Sequence, residues 1–287
     1  MHYKTVKSIL SSGNGMNIYR GCTHGCIYCD SRSDCYQMDH EFEDVEVKIN
    51  APELLEDALR RKRKPCMIGT GSMSDPYLPL EKTERLTRKC LEIIYRRGCG
   101  VTLITKSDLV LRDIELLKSI NERAKCVVQM TLTTYDDALC HIVEPNVAVT
   151  SRRFEVLQCL KEAGIPTIVW MTPTLPFIND TPENIKGILG YCEAAGVKGI
   201  FSFGCGLTLR SGDREYYYQK LNEHFPGLTE KYIATFGGAY EIKGPNADAL
   251  EEMVERFCRR RGLLHDINEI FGYLSSFDDE GEQLSFF

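Results

Sequence analysis

The stretch YRGCTHGCIYCDSRSDCY, residues 19–36, sets Cys22, Cys26 and Cys29 in the pattern CxxxCxxC, and Cys35 follows six positions later. Three thiolates at this spacing can each hold one iron of a four-iron four-sulfur cluster and leave the fourth iron open to a ligand. Two other readings compete. Structural zinc takes four ligands and favours two separated cysteine pairs, but the chain has no second CxxC. The thiols could also simply pack, as free cysteine often does. Gly21 and Gly25 would let the backbone wrap closely around a cluster.

Other polar motifs recur at regular places. GSMSDP, TKS and TLTT each follow or end a short β-branched run, and FGCGLTLR follows another. The elements that must position them alternate. Strands are expected at about 15–20, 66–71, 100–105, 126–133, 166–172 and 198–204, separated by amphipathic helices. RLTRKCLEIIYRRG puts Leu86, Cys90, Ile93 and Ile94 on one face and ends at Gly98. TPENIKGILGYCEAAG opens with Thr181 as N-cap and Pro182 at the first helical position, and stops at Gly196. Such alternation predicts a parallel α/β sheet with right-handed crossovers. Ligands in these sheets sit outside the carboxyl ends of the strands, where all these motifs fall.

The cysteine pattern after the first strand, with aromatic Tyr28 before its last cysteine, resembles the radical S-adenosylmethionine superfamily over roughly residues 14–205. Ser-Asp-Pro-Tyr after the second strand, Thr-Lys-Ser after the third and Asn-Asp after TPTLP are similar to the spore photoproduct lyase and DNA repair photolyase-like branch. The resemblance implies a partial (β/α)6 barrel with a helical C-terminal extension. It implies a cluster on Cys22, Cys26 and Cys29 that cleaves S-adenosylmethionine to a 5′-deoxyadenosyl radical, fed by an electron donor such as flavodoxin or ferredoxin. It would place Ser74 and Lys106 on the amino acid end of S-adenosylmethionine, Thr131 on its ribose or carboxylate, and Tyr28 against the adenine. Cys35 receives no ligand role, because a fourth thiolate would close the open iron. Spore photoproduct lyases carry a hydrogen-donating cysteine where this chain has Ser72. Cys205 is therefore the candidate hydrogen donor here.

The reaction expected is a photolyase-like repair of DNA, with a peptide, protein or RNA substrate as the alternative. An iron–sulfur or zinc protein for binding or electron transfer is the reading from another class. The net charge of −6 over 287 residues gives no field that favours nucleic acid. Basic runs at Arg60, Arg61, Lys62, Arg63 and Lys64 and at Arg259, Arg260 and Arg261 are either solvated helix ends or phosphate contacts. Thirteen cysteines, mostly alone in apolar patterns, fit a reduced compartment better than a disulfide scaffold. MHYKTVKSIL lacks an apolar signal core, so a cytoplasmic protein with no membrane partner is expected.

Three segments are expected: the barrel over 1–210, a helical extension over 211–277 without intervening strands, and an acidic tail over 278–287. Gln283, Leu284, Phe286 and Phe287 in that tail resemble the peptide that bacterial proteins insert into the DNA sliding clamp.

Overall fold

The computed structural model describes residues 1–277. The first four strands are β1 (His2–Lys4), β2 (Gly15–Met16), β3 (Tyr19–Arg20) and β4 (Glu46–Lys48). After α1 (Ala51–Arg60), strand–helix alternation begins: β5 (Met67–Thr70), α2 (Glu81–Glu84), α3 (Leu86–Arg96), β6 (Gly100–Thr105) and α4 (Ile114–Arg123). It continues through β7 (Cys126–Thr131), α5 (Asp137–Val143), α6 (Thr150–Glu162), β8 (Thr167–Trp170), α7 (Pro182–Ala195) and β9 (Gly199–Phe201). The remainder is β10 (Gly206–Thr208), α8 (Asp213–His224), α9 (Leu228–Phe236), β11 (Glu241–Lys243), α10 (Ala247–Arg261) and α11 (Ile267–Ser275).

Six strands form one parallel sheet in the order β2-β5-β6-β7-β8-β9, the partial barrel expected from the alternation. Local signals act as read. The Thr181 hydroxyl accepts from Asn184 N at 3.2 Å at the start of α7, and Gly98 and Gly196 take positive φ where α3 and α7 end. The run expected as one strand over 15–20 is broken, however. Lys48 donates from its backbone N to Ile18 O and from Nζ to Asn17 O. Tyr19 and Arg20 thus leave the barrel and pair antiparallel with β4, which pairs parallel with β1 on its other side.

Helices alone do not account for residues beyond 210: β11 pairs antiparallel with β10. Nor are the last helices an appendage. Leu250, Val254 and Cys258 of α10 join the main core. Leu264 then hydrogen-bonds alongside Gly199 at the sheet edge, beyond β9. From there α11 packs Ile270 and Leu274 on Val127, Ile168 and Phe201, side chains of the sheet's concave face. Lys125 Nζ, just before β7, donates to the carbonyls of Tyr273 (2.8 Å) and Ser276 (3.1 Å) at the far end of α11. The barrel interior is therefore plugged from below by α11. No helix among the described residues is long and apolar enough to cross a membrane.

Candidate functional site

The cysteine loop is built by close backbone approach. Gly21 has φ +86°, and a Cβ there would lie 2.4 Å from Phe42 O, the carbonyl that accepts Cys22 N at 2.9 Å. Gly25, at φ +73°, meets Pro145 and Asn146. Residues 143–146 brace this turn: Ile27 N donates to Val143 O, Asn146 N to His24 O and Asn146 Nδ2 to Thr23 O. Both glycines are thus required by the local crowding.

Cys26 is buried, Cys22 and Cys29 are half-buried, and all three are free thiols. Burial pushes the Cys22 thiol up to about 12 and raises Cys26 and Cys29 as well. Only a strong positive charge would hold such a group as thiolates. Among the described residues, one set of three or more His, Cys, Asp or Glu gathers its ligand atoms closely enough for a single ion, and it is not these cysteines. Tetrahedral zinc with bonds of about 2.3 Å would draw its sulfurs to within roughly 4 Å. The three thiols do not all gather that tightly.

Above the loop, a cleft of about 750 Å³ opens at the carboxyl ends of the strands. Tyr28, Cys29, Ser72, Lys106 and Thr131 all line it. The half-buried Lys106 Nζ lies 5.9 Å from the Tyr28 ring centroid. Burial opposes its charge, but negative charge on Cys26, on the Glu144 carboxylate and on Cys29 outweighs that and raises its pKa. Ser74 does not line the cleft. Its hydroxyl donates to Gly21 O at 2.6 Å and pins the cysteine loop from beneath. Cys205 sits between the cleft-lining Gly204 and Gly206, but its own side chain is fully buried. Burial first, and then Glu251, push its thiol up to about 12.

Buried polar residues brace these elements, and two of them, Glu144 and Arg153, lie outside any sequence motif. The Glu144 carboxylate, fully buried, takes the Tyr28 hydroxyl and the Arg153 guanidinium. Arg153, also fully buried, donates onward to Thr131 O at 2.6 Å. Asp75 accepts from Thr105 Oγ1, Lys106 N and Tyr77 N, each at 2.8 Å, and so orients the Lys106 loop. His24 Nδ1 lies 3.5 Å from Asp75, and burial lowers its pKa. Asp75 was visible as part of a turn motif, whereas Glu144 and Arg153 had no local signal.

The other half of the cleft is aromatic. Trp170 and Phe201 lie 4.3 Å apart, Phe203 stacks on Phe201 at 5.9 Å, and Phe271 meets Phe201 edge-on at 5.8 Å. Phe203 is 57% exposed and sits in a left-handed turn with Gly204 and Cys205. Gln129 Oε1 fixes Trp170 through its indole N–H at 2.7 Å. Lys243, and a polar group in which Ser202 and His265 both bond Glu251, complete the lining.

A parallel half-barrel with a three-thiol loop after its first strand defines a class, and the chain belongs to it. The family model of the radical SAM superfamily matches residues 16–186. The cofactors of this family are a four-iron four-sulfur cluster and S-adenosylmethionine, and the donor set described above fits them. An uncharacterized protein of Mycobacterium tuberculosis is 29% identical over 259 residues, spanning 88% of this chain and 75% of its own. A radical SAM Nalpha-GlyT isomerase of Pseudomonas phage M6 is 23% identical over 175 residues, 61% of this chain and 35% of its own. Among solved structures, spore photoproduct lyase complexed with dinucleoside spore photoproduct superposes with a TM-score of 0.60 at 14% identity, covering 90% of this chain and 77% of the other. At that identity the likeness is one of fold.

Proposed function

We propose that this radical SAM enzyme acts on DNA, with Cys22, Cys26 and Cys29 as the three cluster ligands. When bound, the cluster supplies the electron that splits S-adenosylmethionine and releases a 5′-deoxyadenosyl radical. In this reading Lys106 pairs with the carboxylate of S-adenosylmethionine, the Tyr28 ring packs against its adenine and the Thr131 hydroxyl meets its ribose. Ser74 supports the loop and, through it, the ligand.

The aromatic wall carries the nucleic-acid reading. Four rings, of which Phe203 and Phe271 are exposed, offer a flat base a stacking surface in the same cleft as Lys106. Base–aromatic stacking contributes about 1–3 kcal/mol per base. Lys243 supplies a cation for an attached phosphate. The basic helix ends support the reading less, since Arg259 pairs with Glu255 and Arg261 with Glu193.

The bond made or broken divides into two readings. The lyase reading needs a hydrogen returned to the substrate. Ser72 lines the cleft but has no thiol, and Cys205 would need the 203–205 turn to rearrange. The phage relative is named an isomerase, and a bond migration on a base is the second reading. The test is 5′-deoxyadenosine formation by the reconstituted enzyme with intact DNA, ultraviolet-damaged DNA, RNA or peptide added. Stimulation by DNA, reduced several-fold in Phe203→Ala, is expected. Stimulation by RNA or peptide alone would overturn the assignment.

Gln283, Leu284, Phe286 and Phe287 lie outside the described residues, and the clamp reading rests on their sequence. A peptide of the last ten residues should bind a bacterial sliding clamp with a Kd in the micromolar range, about −8 kcal/mol. Absence of binding by both peptide and protein would remove the clamp as a partner.

A further inference from the structure

We infer a second metal site, remote from the cleft, in which His2, His40 and Asp44 take one borderline divalent cation such as Zn²⁺. The candidate ligand atoms of these three residues lie within 4.8 Å of one another, and each residue is half-buried. Hydrogen bonding fixes which nitrogens are available. His40 Nδ1 lies 3.0 Å from Glu41 O, a carbonyl that can only accept. The neutral ring therefore carries its proton on Nδ1 and a lone pair on Nε2. That Nε2 is buried and has no hydrogen-bond partner. A buried lone pair without a donor is costly, and a cation would satisfy it.

The second imidazole faces the first: the His2 and His40 rings meet edge-to-face at 4.7 Å between centroids. His2 Nδ1 contacts Asp44 Oδ2 at 2.9 Å, so the carboxylate either orients the His2 ring or joins it as a ligand. Asp44 Oδ1 accepts from the Met1 amino group at 2.8 Å. Two imidazoles and a carboxylate suit Zn²⁺, Co²⁺ or Ni²⁺, whereas Mg²⁺ and Ca²⁺ take oxygen ligands. Half-burial leaves water for the remaining positions.

The location gives the site a purpose. His2 belongs to β1, and its N–H donates to Val45 O at 3.0 Å. His40 and Asp44 flank Phe42, whose carbonyl holds the Cys22 N–H. A cation here would tie β1 to the segment that backs the cysteine loop and slow loss of the cluster.

Protein carrying its cluster and a Cys35→Ser substitution, which removes the exposed thiol, would be titrated with Zn²⁺ and with Co²⁺. One ion per chain should bind beyond the iron. Affinity should fall on the order of 100-fold in His40→Gln and His2→Gln, and the visible Co²⁺ spectrum should report nitrogen and oxygen ligands. Saturating Zn²⁺ should lengthen the half-life of the cluster in air, with no such effect in His40→Gln. Circular dichroism confirms that each variant is folded, and imidazole NMR shifts of His2 and His40 on Co²⁺ addition give a second readout in unaltered protein. Equal Zn²⁺ affinity in all variants, or unshifted His2 and His40 signals, would overturn the site. Binding without any change in cluster lifetime would overturn the bracing role.

Discussion

Tyr28 and Glu144 are 116 residues apart in sequence, yet the phenol donates directly to a carboxylate with no exposed surface. Through Arg153 the same carboxylate reaches the carbonyl of Thr131, so one buried chain joins the cysteine loop to the end of β7. Tyr28→Phe should cost about 1.5–3 kcal/mol, the range for a hydrogen bond to a charged group. Glu144→Ala should cost more, about 3–5 kcal/mol, because it strands the Arg153 cation in the interior. Urea unfolding of the two variants measures both, and the reverse order would discount the ion pair.

Acid should weaken the same chain. Burial alone would raise the Glu144 pKa, but Arg153 and Lys106 outweigh it and hold it low. Folding thus depresses this group, and its stabilisation is complete above its unfolded value of about 4.3 and is lost as pH falls through the folded one. Glu144→Gln should flatten the acid limb of the stability profile. An unchanged limb would show that other carboxylates dominate it.

His265 should behave in the opposite sense. Its Nδ1 faces Ile200 O at 2.9 Å and its Nε2 faces Glu251 at 3.2 Å. A hydrogen bond to Cys258 first, and then Glu251, raise its pKa to about 10. Its contribution is full below about 6.5, the unfolded value, and is lost as pH rises towards 10. The Tm gap between wild type and His265→Gln should close across that range. A gap that widens with pH would contradict the charged ring.

Alanine at Cys22, Cys26 or Cys29 should remove the cluster and 5′-deoxyadenosine formation, because in the proposed assignment each thiolate holds its own iron. Cys35 is exposed, with the Arg210 guanidinium 3.3 Å from its sulfur, and Cys35→Ala should keep both. Iron analysis after anaerobic reconstitution decides the matter, and full iron content in any of the first three would defeat the ligand assignment.

Lys106→Ala and Ser74→Ala should fail differently. Loss of the Lys106 charge should weaken S-adenosylmethionine binding by roughly ten- to hundred-fold, equivalent to about 1.5–3 kcal/mol, with iron retained. Ser74 holds Gly21 O, so its removal should speed cluster loss before it alters affinity. Identical effects of the two on affinity, with equal iron, would return Ser74 to the ligand.

What was legible in the sequence was local. Cys22, Cys26 and Cys29 announce themselves by spacing, Gly21 and Gly25 by their place in that spacing, and the six strands by β-branched runs ending in turn residues. What was not legible depends on distant pairing. Arg153 sits in a helix whose sequence reads as polar surface, and only the fold shows that Glu144 lies beneath it. Phe201, Phe203 and Phe271 come from β9, the turn after it and α11, and no period relates them. The split of the first strand at Asn17 is decided by Lys48 on another strand.

The cleft is assembled from segments far apart in the chain, from Tyr28 to Phe271. Cys29 comes early in the chain, whereas Ile267 and Phe271, which also line the cleft, belong to the last described helix. Without α11, which packs Ile270 and Leu274 on Val127, Ile168 and Phe201, the half-barrel would be open to water and oxygen from below. Shielding of the space beneath the cleft would thus wait on the last described helix. Chains ending after Gly262 should still take up iron, yet lose their cluster in air faster than the intact protein and consume S-adenosylmethionine with less response to substrate. Equal lifetimes in air for the two forms would show that α11 has no shielding role.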